Sequence, residues 1–227
     1  MLPEQKDYVS IVYTEEERPF TKYPDQLTKH LGSRFNMKAG QKLLDVGCGR
    51  GDFLRGFFRY GLKCYGVDQT SCAKKICPEA EVKVADLGQG LPYEDNTFDF
   101  VYSKSVIEHF YHPERLAAEM YRVLKPGGTL IALTPDWEEV YQVFFKDFTH
   151  RTPFTSTSLE YFLKIHGFAN VQVEQFRQLP ILWKMPWLNI FSILTAMLTP
   201  RFFGKYSKFV FFSKEVMLLG QGGKHQP

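Results

Sequence analysis

The stretch Leu43 to Phe53, LLDVGCGRGDF, carries the residues with the clearest chemistry. An apolar run ends in an acid, Asp45, and three glycines follow at alternate positions, Gly47, Gly49 and Gly51. Glycine tolerates φ > 0 and has no Cβ, so a ligand can approach the backbone of such a turn closely. A dinucleotide fingerprint spaces its glycines G-x-G-x-x-G and seats a pyrophosphate on a helix N-terminus. Here the spacing is G-x-G-x-G, and a carboxylate beside the turn would repel a pyrophosphate. It suits a ligand carrying an ammonium and a sulfonium. A second acid, Asp68, ends the run KCYGVD, 21 positions after Gly47. A carboxylate at a strand end with that spacing can accept both hydroxyls of a ribose.

Two more segments follow. VKVADLGQGLPYEDNTFDFVYS holds Asp86 and the apolar run FDFVYS, and SVIEHF leads to RVLKPGGTLIALT with its Pro-Gly-Gly turn. In this order the four segments resemble the class I S-adenosylmethionine (SAM)-dependent methyltransferases, of the type 11 and type 23 groups. The resemblance runs from about Lys42 to Thr134, with a weaker continuation to Val173. It implies SAM as cofactor and S-adenosylhomocysteine as product, held by Asp45, Gly47, Cys48, Gly49, Gly51, Asp68, Gln69, Asp86, Leu87 and Ser103. It places Asp86 opposite the adenine amino group and makes FDFVYS the fourth strand.

Methyl transfer from a sulfonium is an in-line displacement for which the cofactor supplies the reactivity. The protein aligns the reacting atoms and excludes water, an effect worth up to about 7–11 kcal/mol. An alcohol acceptor keeps its proton until late, so a positioned base adds about 10²–10⁴-fold. Two histidines compete for that role. His109, in IEHF, falls just after the fourth strand and is expected to line the methyl-transfer pocket. His150 lies in KDFTHRTPFTSTSLEYFLKIHGF, which resembles the T-H-x-x-P-[FY]-[TS] pattern of many small-molecule and sugar-modifying methyltransferases. There the histidine sits on the loop after the fifth strand, so His150 is expected within reach of the acceptor hydroxyl. Arg151 beside it could pair with a substrate phosphate or carboxylate. Trp137 and Tyr141 are further acceptor-side candidates, and Tyr23, in FTKYPDQL, is expected to fold over the cofactor. His30, His112, His166 and His225 read as surface residues.

These residues must be positioned by an α/β fold. The resemblance implies a Rossmann-like sheet of seven mostly parallel strands, helices on both faces and an antiparallel last strand. Short β-branched or aromatic runs bounded by turn residues predict strands at Lys42–Val46, Lys63–Val67, Glu81–Val84, Phe98–Ser103, Thr129–Thr134, Asn170–Gln175 and Glu215–Leu219. Helices are expected near Asp25–Arg34, after Gly51, after Thr70, over Glu114–Leu124 and over Ser158–His166, the last capped by Gly167. The Asp86–Thr97 link is short and rich in Gly and Pro, so that crossover is expected to lack a full helix. The organisation is a lid over 1–40, a cofactor-binding core over 42–175, an aromatic-rich insertion over 176–213 and a last strand over 214–220. The insertion, between the sixth and seventh strands, is broken by Pro180, Pro186 and Pro200. Its apolar run Trp187–Thr199 is shorter than the about 20 residues that cross a bilayer. It reads as an acceptor wall or lid. Its aromatics, with Lys184, Arg201, Lys205 and Lys208, would also suit a membrane surface, and a homodimer contact is a further reading.

Composition narrows the partners. The 227 residues suffice for one sizeable core, with 44% hydrophobic and 23% charged residues. A net charge of +3 with scattered Lys and Arg gives no nucleic-acid footprint. The polar N-terminus is not a signal peptide, so a cytoplasmic, at most membrane-peripheral, protein is expected. Cys48, Cys64, Cys72 and Cys77 have no zinc-ligand spacing, and no metal is expected from the sequence. The leading expectation is an O-methyltransferase acting on a sugar or secondary metabolite. The alternatives are a lipid-like or quinone-like acceptor at a membrane surface, and a non-catalytic SAM-binding protein. The intact set Asp45, Asp68 and Asp86 argues against the last.

Overall fold

A computed structural model describes residue 16, residues 19–198 and residues 216–225. The chain begins with α1 (Tyr23–Arg34), β1 (Lys42–Val46), α2 (Asp52–Tyr60), β2 (Lys63–Asp68), the single-turn α3 (Ala73–Ile76) and β3 (Glu81–Val84). It continues with β4 (Phe98–Lys104), a 3₁₀ turn (Ile107–His109), α4 (Glu114–Val123), β5 (Leu124–Pro135), α5 (Trp137–Phe144), α6 (Ser156–Ile165) and β6 (Ala169–Arg177). Then come α7 (Pro180–Lys184), a second 3₁₀ turn (Pro186–Leu188), α8 (Asn189–Leu198) and β7 (Val216–Gly223).

Successive strand residues face opposite sides of a sheet, and this alternation sorts the core into two layers. Leu43, Phe100, Tyr102, Ile131 and Leu133 pack with Leu27 and Leu31 of α1 and Leu54 and Phe57 of α2. Leu44, Val46, Val101, Leu130 and Ala132 pack on the other face with Leu116 and Met120 of α4 and Leu159 and Leu163 of α6. The strand order is β3-β2-β1-β4-β5-β7-β6. Strands β1 to β5 pair in parallel, while β7 runs antiparallel between β5 and β6. The expected Rossmann-like seven-stranded sheet is therefore the observed one, and its open crevice lies beyond the carboxyl ends of β1 and β4.

The Asp86–Thr97 crossover carries no helix. It is held instead by Arg122, which donates to the carbonyls of Leu91 and Tyr93 and to Asp95, while Glu119 accepts from the Leu91 N–H. The loop keeps Asp86 at the end of β3 without a helix to carry it.

Several boundaries differ from expectation. β5 starts at Leu124 and not at Thr129, because the Pro-Gly-Gly segment is absorbed as a register irregularity against β4. The segment after β5, read as loop, contains α5. Its N-cap is Asp136, whose carboxylate accepts from the Glu138 N–H, and acids fill the first turn. α6 starts at Ser156, two residues early, behind a Thr155/Ser158 capping box, and Gly167 follows its end at φ 86° as expected.

Phe176 and Arg177, assigned to the insertion, belong to β6, and Phe176 is buried. The insertion begins after them. Trp183 of α7 stacks on His30 of α1 at 4.7 Å and on Phe176 at 5.4 Å, and its indole N–H donates to the Arg177 carbonyl. His30 is accordingly half buried and not a surface residue, and burial, with Arg34 second, lowers its pKa. The second 3₁₀ turn leaves Trp187 exposed, and α8 leaves Ile190, Phe191, Ile193 and Leu194 exposed. Among the described residues no helix is long and apolar enough to cross a membrane. Most of the N-terminal lid ahead of Pro19, and residues 199–215 with Arg201, Lys205, Lys208 and Glu215, lie outside the described residues.

Candidate active site

The cradle forms where β1 stops. Gly47, Gly49 and Gly51 have φ of 75°, 52° and 93°, which L side chains adopt only with strain. Two of them show opposite reasons for glycine. A Cβ on Gly47 would come within 2.3 Å of Val106 Cγ2, so the turn is packed from behind. A Cβ on Gly49 would meet nothing within 4 Å, so the turn is open in front, where a ligand can reach the backbone. Asp68 shapes the turn: its carboxylate accepts from the Gly49 N–H at 2.8 Å and from the Thr70 N–H at 3.1 Å. Thr70 Oγ1 also donates to it, at 3.4 Å, so of about four acceptor positions one remains for a hydroxyl, and a second opens where Thr70 Oγ1 turns away.

Asp45 is buried on the α1/α2 face, in register with Tyr102 of β4 and Gly66 of β2. Burial, with Asp68 second, pushes its carboxyl up to about 8. The Tyr102 phenol is raised well above its usual value by burial, with Asp45 second. Tyr102 Oη and Ser103 Oγ are buried without a hydrogen-bond partner. A neutral acid and two orphaned hydroxyls beside an open glycine turn are what a cationic, many-donor ligand would satisfy. SAM fits these residues.

The remaining cofactor candidates divide. Asp86 and Gln69 are exposed at the ends of β3 and β2, and Asp86 accepts from the Gly88 N–H. Leu87 is buried in the core and Cys48 lies beneath the turn, its Sγ 2.9 Å from where a Gly66 Cβ would stand. These two can offer a ligand only their backbone.

The acceptor side is built by convergence. A cavity of about 240 Å³ opens between Lys104 and Ser105 after β4, Pro135 of β5, Phe144 of α5, His150 and Gln178. Tyr23 Oη donates to Gln178 at 2.9 Å, tying the lid helix to the cavity rim. Of the candidates read from sequence, His150 lines this cavity. Trp137 stands behind it, its ring 5.3 Å from Phe144, and Tyr141 is exposed further out. The Arg151 guanidinium donates to the carbonyls of Phe148 and His150 and lies over Tyr111. Through one nitrogen it braces the loop.

His109 and His150 meet edge to face, ring centroids 4.8 Å apart. Their tautomers follow from their partners. His150 Nδ1 is 2.7 Å from the Phe144 carbonyl oxygen, which can only accept, so Nδ1 carries a proton and in the neutral ring Nε2 carries the lone pair. Thr149 Oγ1 donates its single proton to the Asp147 carboxylate, so His109 Nδ1, 2.8 Å from the same oxygen, must be a donor too. Burial, with His150 second, holds His109 down to about 4, so it is neutral at pH 7.

Sequence reasoning missed Glu108. It is fully buried, its Oε2 accepts from Thr134 Oγ1 at 3.0 Å and its Oε1 is unpartnered. Burial pushes it up to about 7. Its backbone carbonyl accepts from the N–H groups of Arg151 and Thr152, which pins the His150 loop against the 3₁₀ turn. The available signal was its place between Ile107 and His109: a charged residue in an otherwise apolar approach to the fourth-strand end.

Fold and site are similar to those of the class I SAM-dependent methyltransferases. Residues 44–132 match the sequence model of the family described as a methyltransferase domain. Phosphoethanolamine N-methyltransferase 2 of Caenorhabditis elegans is 30% identical over 152 residues, 61% of this chain and 35% of that protein. The matched stretch spans 35% to 41% of the length of the curated relatives. A Haloferax volcanii methyltransferase, solved in complex with the Trm112 activator, superposes with a TM-score of 0.71 at 20% identity, over 98% of this chain and 100% of its own. Phosphoethanolamine N-methyltransferase 2 of Haemonchus contortus, solved with SAM, does so at 0.64 and 20%, over 98% of this chain and 61% of that one.

Proposed function

We propose that the chain moves the SAM methyl group to an oxygen of a small-molecule acceptor, with a sugar or other hydroxylated metabolite as the favoured class. The observation that carries this is the seating of His150, with Nε2 as its lone-pair nitrogen, in the wall of a cavity at the carboxyl end of β4, beside the cradle. When bound, SAM supplies a methyl carbon activated by its sulfonium. The protein contributes the rest. Asp45 and Asp68 place charge and hydroxyl acceptors at the cradle, and Tyr23 with Gln178 closes cofactor side to acceptor side. His150 Nε2 takes the proton of the acceptor hydroxyl, and its Nδ1–H, anchored on the Phe144 carbonyl, holds the ring against turning.

The test is a methyl-acceptor screen with labelled SAM, spanning nucleotide sugars, polyprenyl lipids and amines, followed by His150→Ala on the acceptor found. Turnover should fall by about two to four orders of magnitude with cofactor affinity unchanged. Near-normal turnover would refute the base. It would favour a nitrogen acceptor, as in the phosphoethanolamine N-methyltransferases, since the neutral fraction of an amine carries a free lone pair and can attack without a base in the transfer step. The exposed apolar residues of α8 favour a second reading, a lipid-like acceptor presented at a membrane surface. A polyprenyl hit in the same screen, with activity rising on added vesicles, distinguishes it.

A further inference from the structure

Glu108, His109 and His150 come together from two turns that share no sequence motif. One ligand-capable atom of each lies within 4.8 Å of those of the other two. We propose that these three side chains form a binding site for one divalent first-row cation, of the zinc, manganese or cobalt type, facing the acceptor cavity.

The donor set is the first argument. Two imidazoles and one carboxylate are a recurrent catalytic metal set, three protein ligands with a position left for substrate. Metal–ligand bonds of about 2.1 Å put neighbouring ligands about 3–3.5 Å apart, so the side chains need close by only about an ångström. His150 already lines the cavity, so that remaining position opens on the acceptor.

The second argument is the orientation of the imidazoles. A histidine ligand is typically fixed by a hydrogen bond from its other nitrogen to a carbonyl or carboxylate. His150 makes that bond from Nδ1 to the Phe144 carbonyl. His109 makes it to Thr149 Oγ1, which in turn donates to Asp147. Both outer partners set the same tautomer, so both Nε2 atoms carry the lone pair that a cation needs.

The third is Glu108. An unpartnered oxygen on a fully buried carboxyl is costly unless something completes it. A cation would complete it and make the carboxylate its stable form. Charge also bears on the site: Glu108 and Asp147, whose Oδ2 stands 4.0 Å from His150 Nε2, bring two negative charges toward a dication, Lys104 stands near enough to Glu108 to favour its carboxylate, and the nearby Arg151 guanidinium is turned onto loop carbonyls.

The role of the ion, though not the site, rests on the methyl-transfer reading. A cation there would bind the acceptor oxygen and lower its hydroxyl pKa, the proton leaving to solvent. His150 is then a ligand, and its role as proton acceptor belongs to the ion-free protein.

The test uses the full chain, stripped with a chelator and dialysed, then titrated with cobalt(II) and read by visible d–d absorption and by equilibrium dialysis. One equivalent should bind, with affinity at least tenfold above that of the His109→Ala/His150→Ala double variant. Glu108→Gln, which keeps the contact to Thr134 without opening a cavity, should weaken binding at least tenfold. Thr149→Val leaves all three ligands and should weaken it by about 10- to 100-fold, because it removes the outer partner of His109. Circular dichroism establishes that each variant is folded. Equal cobalt binding by wild type and the folded variants overturns the proposal, as does no binding by wild type. S-adenosylhomocysteine affinity is measured on the same samples. Cofactor binding without cobalt binding sinks the ion site alone, and cobalt binding without cofactor binding sinks the methyl-transfer reading alone.

Discussion

Replacing Asp45 with asparagine should remove a pH dependence that the wild-type protein carries in both stability and cofactor affinity. Asp45 is 3% exposed at the end of β1, and burial, with Asp68 second, raises it from 3.8 to about 8. Between those values the folded chain holds a proton that the unfolded chain has lost. The folded pKa is the raised one, so stability falls as pH rises through this window and levels off above about 8. The slope is about 1.4 kcal/mol per pH unit, so from pH 5 to pH 7 this one group costs about 3 kcal/mol. An asparagine side chain cannot titrate, and the Asp45→Asn variant should gain that amount relative to wild type over the same interval. Glu108, raised to about 7, contributes its own slope to both proteins and cancels in the difference. Cofactor binding supplies the complementary sign. An ammonium beside Asp45 favours the carboxylate, so binding expels the proton. Affinity for S-adenosylhomocysteine should rise toward tenfold per unit between pH 5 and 7 and flatten above about 8. Urea unfolding at pH 5, 6 and 7 reads the stability term. Calorimetry in two buffers of different ionisation enthalpy reads about one proton released. Parallel stability profiles for wild type and Asp45→Asn, or no proton release, would refute the reasoning.

The other residues of the cradle give sharper single readings. Asp68→Ala removes acceptors for ribose hydroxyls and frees the Gly49 N–H it now holds at 2.8 Å, so cofactor affinity should fall by about 1.5–3 kcal/mol; unchanged calorimetric affinity in the folded variant removes the assignment. Gly47→Ala places a Cβ 2.3 Å from Val106 Cγ2 at a φ of 75°, so its thermal midpoint should drop. Adding Val106→Ala should relieve the clash but leave about 1–2 kcal/mol of left-handed strain, and complete recovery would show that strain to be absent.

The cofactor half of this protein was legible in its sequence because its chemistry is local. Asp45, Gly47, Gly49 and Gly51 share one strand-to-helix turn, and Asp68 and Asp86 sit at the ends of neighbouring strands. In a parallel sheet, being last in a strand already fixes which edge a side chain occupies. Even there the reading was uneven. The resemblance named Leu87 and Cys48 among the contacts, and packing turned both side chains inward, because residues beside a ligand in sequence must still fill the core. The acceptor half is convergent. Glu108 meets His150 across 42 positions, the lid reaches the cavity through Tyr23 and Gln178, 155 positions apart, and neither meeting is a periodicity or a motif. Arg151 shows a use its sequence did not signal: a loop that ends no helix or strand must satisfy its own carbonyls, and one nitrogen of its nearest guanidinium serves that. α5 was hidden differently. Its Asp136 cap and acidic first turn were in plain view, but Trp137 and Tyr141 drew attention as ligands when their spacing of four residues also marks one face of a helix. The cost of such a fold follows from this division. Changes near the glycine turn act through a few contiguous residues, whereas the acceptor cavity depends on segments that only the finished sheet brings together. Its specificity can therefore drift by loop replacement while the cradle stays fixed, and it is the cavity, more than the cradle, that experiment must now read.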